Sequence, residues 1–200
     1  MRTQLLALLL LLVPCLANAD PTFITRAQWG SKPLPISKSM RHTPTLLTLH
    51  HSGVLWKEGD DPYVKIRALQ SWGQKEKGWP DLPYHYMIAP GGEIFEGRDW
   101  HYRPESNTKY NLDGVLNLEL WGNFDEQKVT LSQLTSLVEL LAYLYREHKI
   151  KELRGHGDAA PGQTHCPGED LKKYLNSGQL LKWVQELQSG RKPRPTLNVW

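Results

Sequence analysis

Cys166 lies in the run Gly155-His156-Gly157-Asp158-Ala159-Ala160-Pro161-Gly162-Gln163-Thr164-His165-Cys166-Pro167-Gly168, and a histidine pair, His50-His51, closes an apolar run far upstream. The chain has two cysteines, and Cys15 sits in an apolar leader-like start. Without that leader Cys166 has no disulfide partner, which leaves a buried bystander, a nucleophile or a metal ligand. Its company of histidines and turn-forming Gly and Pro favours the ligand. Two His and one Cys supply three protein ligands and leave one zinc position open for water, and imidazole with thiolate suits zinc. His156 and Cys166 are ten residues apart, a spacing that lets one loop fold back and present both. Glu119 is an acid inside the apolar run Leu118-Glu119-Leu120-Trp121. Facing inward, it would gain proton affinity by desolvation and suit general-base work. Alternation with Leu118 and Leu120 puts it on their opposite face, which an ordinary half-buried strand gives to solvent. Tyr84 and Thr164 are hydroxyls near the proposed centre, able to polarise a carbonyl or steady an oxyanion, or simply to pack.

The start of the chain reads as a secretory signal: Arg2, a leucine-rich stretch from Leu5 to Val13, and a small-x-small site at Ala17-Asn18-Ala19. The stretch is too short to span a bilayer. Residues 1–19 are therefore expected to be removed, leaving a mature chain from Asp20 in a periplasm or outside the cell. Of 200 residues, 181 remain, enough for one domain with a full core. Loss of Arg2 takes the formal charge from +3 to +2, a near balance that argues against a dedicated nucleic-acid surface. No later segment is long and apolar enough to be a transmembrane helix. Eight Trp and eight Tyr against three Phe give many rings with an apolar face and a polar handle, suited to stacking on sugars as well as to filling a core.

Several elements must position these groups. Leu46 to Leu49 reads as a buried strand ending at His50. Asp61-Pro62 opens a helix with Val64, Ala68, Leu69 and Trp72 on one face, stopped by Gly78. Tyr84–Ile88 and Glu93–Glu96 read as strands joined by the hairpin signal Ala89-Pro90-Gly91-Gly92. Val115 to Trp121 reads as a central strand. Thr130 caps the clearest helix, with an apolar stripe from Leu131 through Tyr145 to about His148. A short strand around Lys151–Arg154, a helix from about Glu169 to Tyr174 and an amphipathic segment at Leu180–Leu187 complete the pattern. Residues 20–44 read as an N-terminal wrap, 98–113 as an ordered loop, and 191–200 as a basic, Pro-rich, solvated tail. Strands mixed with helices predict an α/β single domain of residues 20–190, with a central mixed β-sheet flanked by helices.

The ordered set of motifs resembles the zinc-dependent N-acetylmuramoyl-L-alanine amidases of type 2, a superfamily that includes phage lysozyme-like amidases and animal peptidoglycan recognition proteins. The resemblance runs from about Ile24 to Tyr174. It is carried by Ile24-Thr25-Arg26-Ala27-Gln28-Trp29-Gly30, Leu49-His50-His51-Ser52, Gly78 to Tyr86, Gly92 to Trp100, Leu118 to Phe124, and His156 to Gly168. It implies one Zn2+ per chain on His50, His156 and Cys166, with His51 and His165 as neighbours. It further implies that Tyr84 and Thr164 assist catalysis and that Glu119 serves as a base, as in one branch of the family. The implied reaction is hydrolysis of the amide between N-acetylmuramic acid and L-alanine in peptidoglycan or muropeptides, by a monomer. Trp56, Trp79 and Trp100 are candidates to line a sugar-peptide groove, with ordinary packing an equal alternative for each. The chain departs from the family pattern at Ser106-Asn107-Thr108-Lys109-Tyr110, where many relatives carry a His and one more residue, and at Gly73, where many carry a His.

Two rival classes make different demands on the same residues. A cell-wall cysteine peptidase would use Cys166 as nucleophile with a histidine base. A non-catalytic peptidoglycan-binding module would hold glycan without turnover.

Overall fold

The computed structural model describes residues 20–198; the leader expected over 1–19 lies outside the described residues. Six strands form one sheet in the order β1-β4-β3-β5-β2-β6. They are β1 (Phe23–Ile24), β2 (Leu46–His51), β3 (Tyr86–Ile88), β4 (Ile94–Glu96), β5 (Val115–Leu120) and β6 (Glu152–Gly155). Only β3 and β4, joined by the expected hairpin, pair antiparallel; β5 with β3, β2 with β5, β6 with β2 and β1 with β4 are parallel. The helices are α1 (Arg26–Trp29), α2 (Pro62–Lys77), α3 (Leu131–Glu147), α4 (His156–Ala159), α5 (Glu169–Asn176) and α6 (Gln179–Gln188).

Both faces of the sheet are covered, as parallel strands require. On one face Leu47 and Leu49 of β2 and Leu116, Leu118 and Leu120 of β5 pack with the stripe of α3 and with Leu171, Tyr174 and Trp183 of α5 and α6. On the other, Met87 and Phe95 meet Trp29 of α1, Ile66 of α2, Leu82 and Trp121. Period-two alternation then assigns Asn117 and Glu119 to this second face, level with Thr48 and His50 of β2. All six residues of β5 are buried. The solvated position that alternation offers Glu119 does not exist, because α1 and α2 cover that side.

The long helices carry the ends their sequences announce. The Asp61 carboxylate accepts from the Tyr63 and Val64 N–H groups, with Pro62 in the first turn and Gly78 in the left-handed region. Thr130 and Gln133 form a reciprocal capping box, and Gln133 Nε2 also donates to the Trp121 carbonyl at 2.9 Å. That bond fixes α3 to the end of β5.

The N-terminal wrap contains more regular structure than its composition announces. β1 adds to the sheet edge beside β4, and Thr25 caps the four residues of α1. The Arg26 guanidinium pairs with the buried Asp81 at 2.8 Å and donates to the Gly97 carbonyl. The C-terminal tail is largely exposed but pinned at Asn198, whose N–H donates to Tyr174 Oη at 2.6 Å and whose amide reaches Asp170 at 3.1 Å. No helix among the described residues is long and apolar enough to cross a membrane.

Candidate metal centre and catalytic groove

Because β2, β5 and β6 run parallel, their C-terminal ends share one edge of the sheet, the usual place for a site in such folds. His50 is the penultimate residue of β2, and His156 follows directly on β6 as the first residue of α4. The loop after α4 returns with Cys166. The ligand atoms of His50, His156 and Cys166 all lie within 4.8 Å of one another, and all three residues are buried. His50 Nδ1 is 3.7 Å from Cys166 Sγ, and the two imidazole centroids are 4.3 Å apart. Gly157 N–H donates to the Cys166 carbonyl at 2.7 Å, closing the loop on itself. Thr164 Oγ1 accepts from Cys166 N–H at 3.1 Å, so Thr164 holds the turn that aims the thiol.

The donor set fits a zinc-like cation. Two imidazoles and a thiol converge, and burial disfavours every charged form that could otherwise settle the cluster. Desolvation holds His50 well below its ordinary value and His156 at about 4. Desolvation also pushes the Cys166 thiol up to about 12, against the opposing effect of the His51 N–H that donates to its sulfur at 3.4 Å. The buried His50 Nε2 has no hydrogen-bond partner of good geometry. The Asn117 side chain favours the protonated form of His50, against the larger effect of burial. His51 points to the opposite face, where its Nδ1 accepts from Phe124 N–H. His165 is exposed. Neither joins the cluster.

Glu119 stands beside His50 in strand register and is buried. Desolvation lifts its carboxyl to about 8, although the Trp121 indole N–H, donating at 2.9 Å, and the Tyr84 hydroxyl both favour the ionised form. Tyr84 lies edge-on to His50 with centroids 5.1 Å apart. Burial, and then the nearby Glu119 and Cys166, hold its phenol well above the usual range, so its proton stays available for donation.

Tyr84 and Glu119 also form the floor of a groove of about 430 Å³, walled by Trp56, Trp72, Trp121 and Lys65. Trp56 stacks on Trp121 with centroids 5.7 Å apart. Of the tryptophans expected here, only Trp56 lines the groove. Trp79 packs edge-on behind Trp72, in space that the absent side chain of Gly73 leaves open: a Cβ there would lie 3.1 Å from the Trp79 ring. Trp100 instead stacks on His101 and meets His148 edge-on. Sequence reasoning also passed over Asn117, Ser106 and Thr108, which reach the centre. Asn117 carried a usable signal, since it precedes Glu119 by two in the same strand and so shares its face.

Comparison with known proteins agrees with this geometry. Residues 40–169 match the family described as N-acetylmuramoyl-L-alanine amidase, Amidase_2. The chain is 25% identical over 175 residues to peptidoglycan-recognition protein SC2 of Drosophila melanogaster, covering 86% of this chain and 94% of that protein. It is 32% identical over 123 residues to the endolysin of Enterobacteria phage T3, covering 59% of this chain and 79% of the endolysin. The N-acetylmuramoyl-L-alanine amidase LysC from Clostridium intestinale superposes with a TM-score of 0.61 at 26% identity, covering 78% of this chain and 99% of LysC. With residues 40–169, about two-thirds of its length, matched and the fold shared, the chain belongs to the family described as N-acetylmuramoyl-L-alanine amidase, Amidase_2.

Proposed function

We propose that this chain is an exported zinc amidase that hydrolyses the bond between the lactyl group of N-acetylmuramic acid and L-alanine in peptidoglycan or its fragments. The observation that carries the reading is the convergence of His50, His156 and Cys166 within 4.8 Å, next to a buried carboxyl at the foot of an aromatic groove. When bound, zinc supplies Lewis acidity to the scissile carbonyl and lowers the pKa of a water from about 16 towards roughly 7. Glu119 takes the proton from the attacking water and returns it to the departing alanine nitrogen. Tyr84 donates its phenolic proton to the carbonyl oxygen as negative charge grows there. Thr164 keeps Cys166 in place, and its own proton remains available to a substrate oxygen. Trp56, backed by the buried Trp121, presents a face on which a sugar ring can lie.

The cysteine-peptidase alternative is disfavoured by electrostatics. A nucleophilic thiol needs a lowered pKa, and here burial raises Cys166 to about 12 while lowering the adjacent His50. A cation held by both residues reverses those penalties, because a coordinated thiol is deprotonated.

The test combines metal analysis of the purified mature chain with mass spectrometry of digested muropeptides. The expected result is one zinc per chain and release of peptides with a free L-alanine amino group. Cys166→Ala and His50→Ala should each lose both metal and turnover, because two ligands rarely retain zinc. Turnover that survives Cys166→Ala overturns the reading.

A further inference from the structure

The segment between β4 and β5 brings Ser106, Thr108 and Tyr110 to the metal loop, and its hydroxyls form a chain to His156. Thr108 Oγ1 is 2.5 Å from His156 Nε2. Ser106 Oγ is 2.9 Å from Thr108 Oγ1 and also accepts from Thr108 N–H at 3.2 Å. Tyr110 lies against the His156 ring with centroids 5.5 Å apart and donates to Asn117 Oδ1 at 3.3 Å.

Ser106 Oγ accepts from the Thr108 N–H and, with its second lone pair, is placed to take the Thr108 hydroxyl proton as well. Thr108 Oγ1 is then left as an acceptor for His156 Nε2–H. The segment is locked to the metal loop from outside as well. Gln163, between His156 and Cys166, accepts from Lys109 N–H at 2.8 Å and donates to the Lys109 carbonyl at 3.1 Å.

We propose that the Ser106–Tyr110 segment is a positioning strap that fixes His156 as its Nε2–H tautomer and leaves Nδ1 for the metal. Partners of this kind, on the far nitrogen of a ligating histidine, typically change metal affinity 10–100-fold when removed. The inference rests on the metal-site reading above, and its test separates the two.

Zinc affinity is measured by competition with a chromophoric chelator on the mature wild-type chain and on Thr108→Val, Thr108→Ser and Tyr110→Phe. The absorption spectrum of each cobalt-loaded protein is recorded alongside. Thr108→Val, which keeps shape but removes the acceptor, should weaken zinc about 10–100-fold and alter the cobalt spectrum. Thr108→Ser should restore both to near wild type. Tyr110→Phe, which keeps the ring against His156 and removes the segment's anchor on Asn117, should give an intermediate loss and serves if Thr108→Val does not fold. Wild-type affinity in both Thr108→Val and Tyr110→Phe overturns the strap while leaving the metal site intact. A wild-type chain that takes up no zinc or cobalt overturns both.

Discussion

At the scale of single residues, the telling pair is Glu119 and Tyr84. Burial raises the carboxyl to about 8, so in the absence of a cation it is protonated at neutral pH. A bound dication moves it down, and turnover falls as pH drops through its pKa. The acidic limb of kcat/KM should therefore lie at or below about pH 8 yet above the ordinary carboxylate range. Glu119→Gln should cost about 10²–10⁴ in kcat/KM and abolish that limb, while zinc content stays at one per chain. A full-activity Glu119→Gln enzyme would remove Glu119 from the chemistry. Tyr84→Phe should lower kcat by about 10²–10³, as loss of one oxyanion donor does. It should also move the limb to higher pH, because the phenol helps hold Glu119 ionised. A limb that stays put would separate the two side chains functionally.

At the scale of elements, the strand pair β2–β5 and the hairpin β3–β4 carry the site. Gly97 lies just after β4, where an added Cβ would collide with the Tyr84 carbonyl. Gly97→Ala should destabilise the fold by about 1–3 kcal/mol, as overpacking does, and displace Tyr84. Equilibrium urea denaturation and residual kcat report the two effects. Thr130→Ala, remote from the groove, should cost about 1 kcal/mol through its lost helix cap and leave kcat unchanged. The elements legible in the sequence were those with local signatures. Asp61-Pro62 and Gly78 bracket α2, Thr130 and Gln133 start α3, and Pro90-Gly91-Gly92 turns the hairpin. β1 and α1 were not legible, since two and four residues contain too little periodicity to read. What makes β1 regular is distant, the pairing of Phe23 and Ile24 with Ile94 and Phe95, whereas α1 has local caps in Thr25, Gln28 and Gly30 that so short a segment did not bring to notice. The same holds inside the site. His50, His156 and Cys166 announce themselves by residue type. Thr108 and Ser106 do not, because a hydroxyl in a polar loop matters only once the fold brings His156 to it.

At the scale of the whole molecule, acid sensitivity follows from a histidine outside the metal cluster. His85 is buried between two backbone partners, accepting from Asn117 N–H at 2.9 Å and donating to the Tyr102 carbonyl at 3.0 Å. Burial lowers it from 6.5 to about 3. The unfolded chain thus binds a proton that the folded chain refuses between those values. His85 contributes its full stability above about pH 6.5, and below that about 1.4 kcal/mol is lost per pH unit on the way to about 3. NMR should show its imidazole still neutral at pH 5 in the folded protein, with stability to urea lower at pH 5 than at pH 7. A His85 that titrates near 6.5 while folded would refute this. Sheet order is another property of the whole that local pattern could not supply. Nothing near β2 says that β5 and β6, some seventy and a hundred residues on, will flank it.

Three parallel strands ending together give the molecule two unlike poles. Reactive groups gather where β2, β5 and β6 finish. At the opposite pole, where those strands begin, Thr45, Gly114 and Lys151 are tied by main-chain bonds and Gly114 N–H also donates to His42 Nδ1, with Asp113 and Lys151 open to solvent. A dye, tether or solid support attached there would leave the working end unobstructed, so the enzyme could be mounted facing outward on a surface and still meet a polymer as bulky as a cell wall.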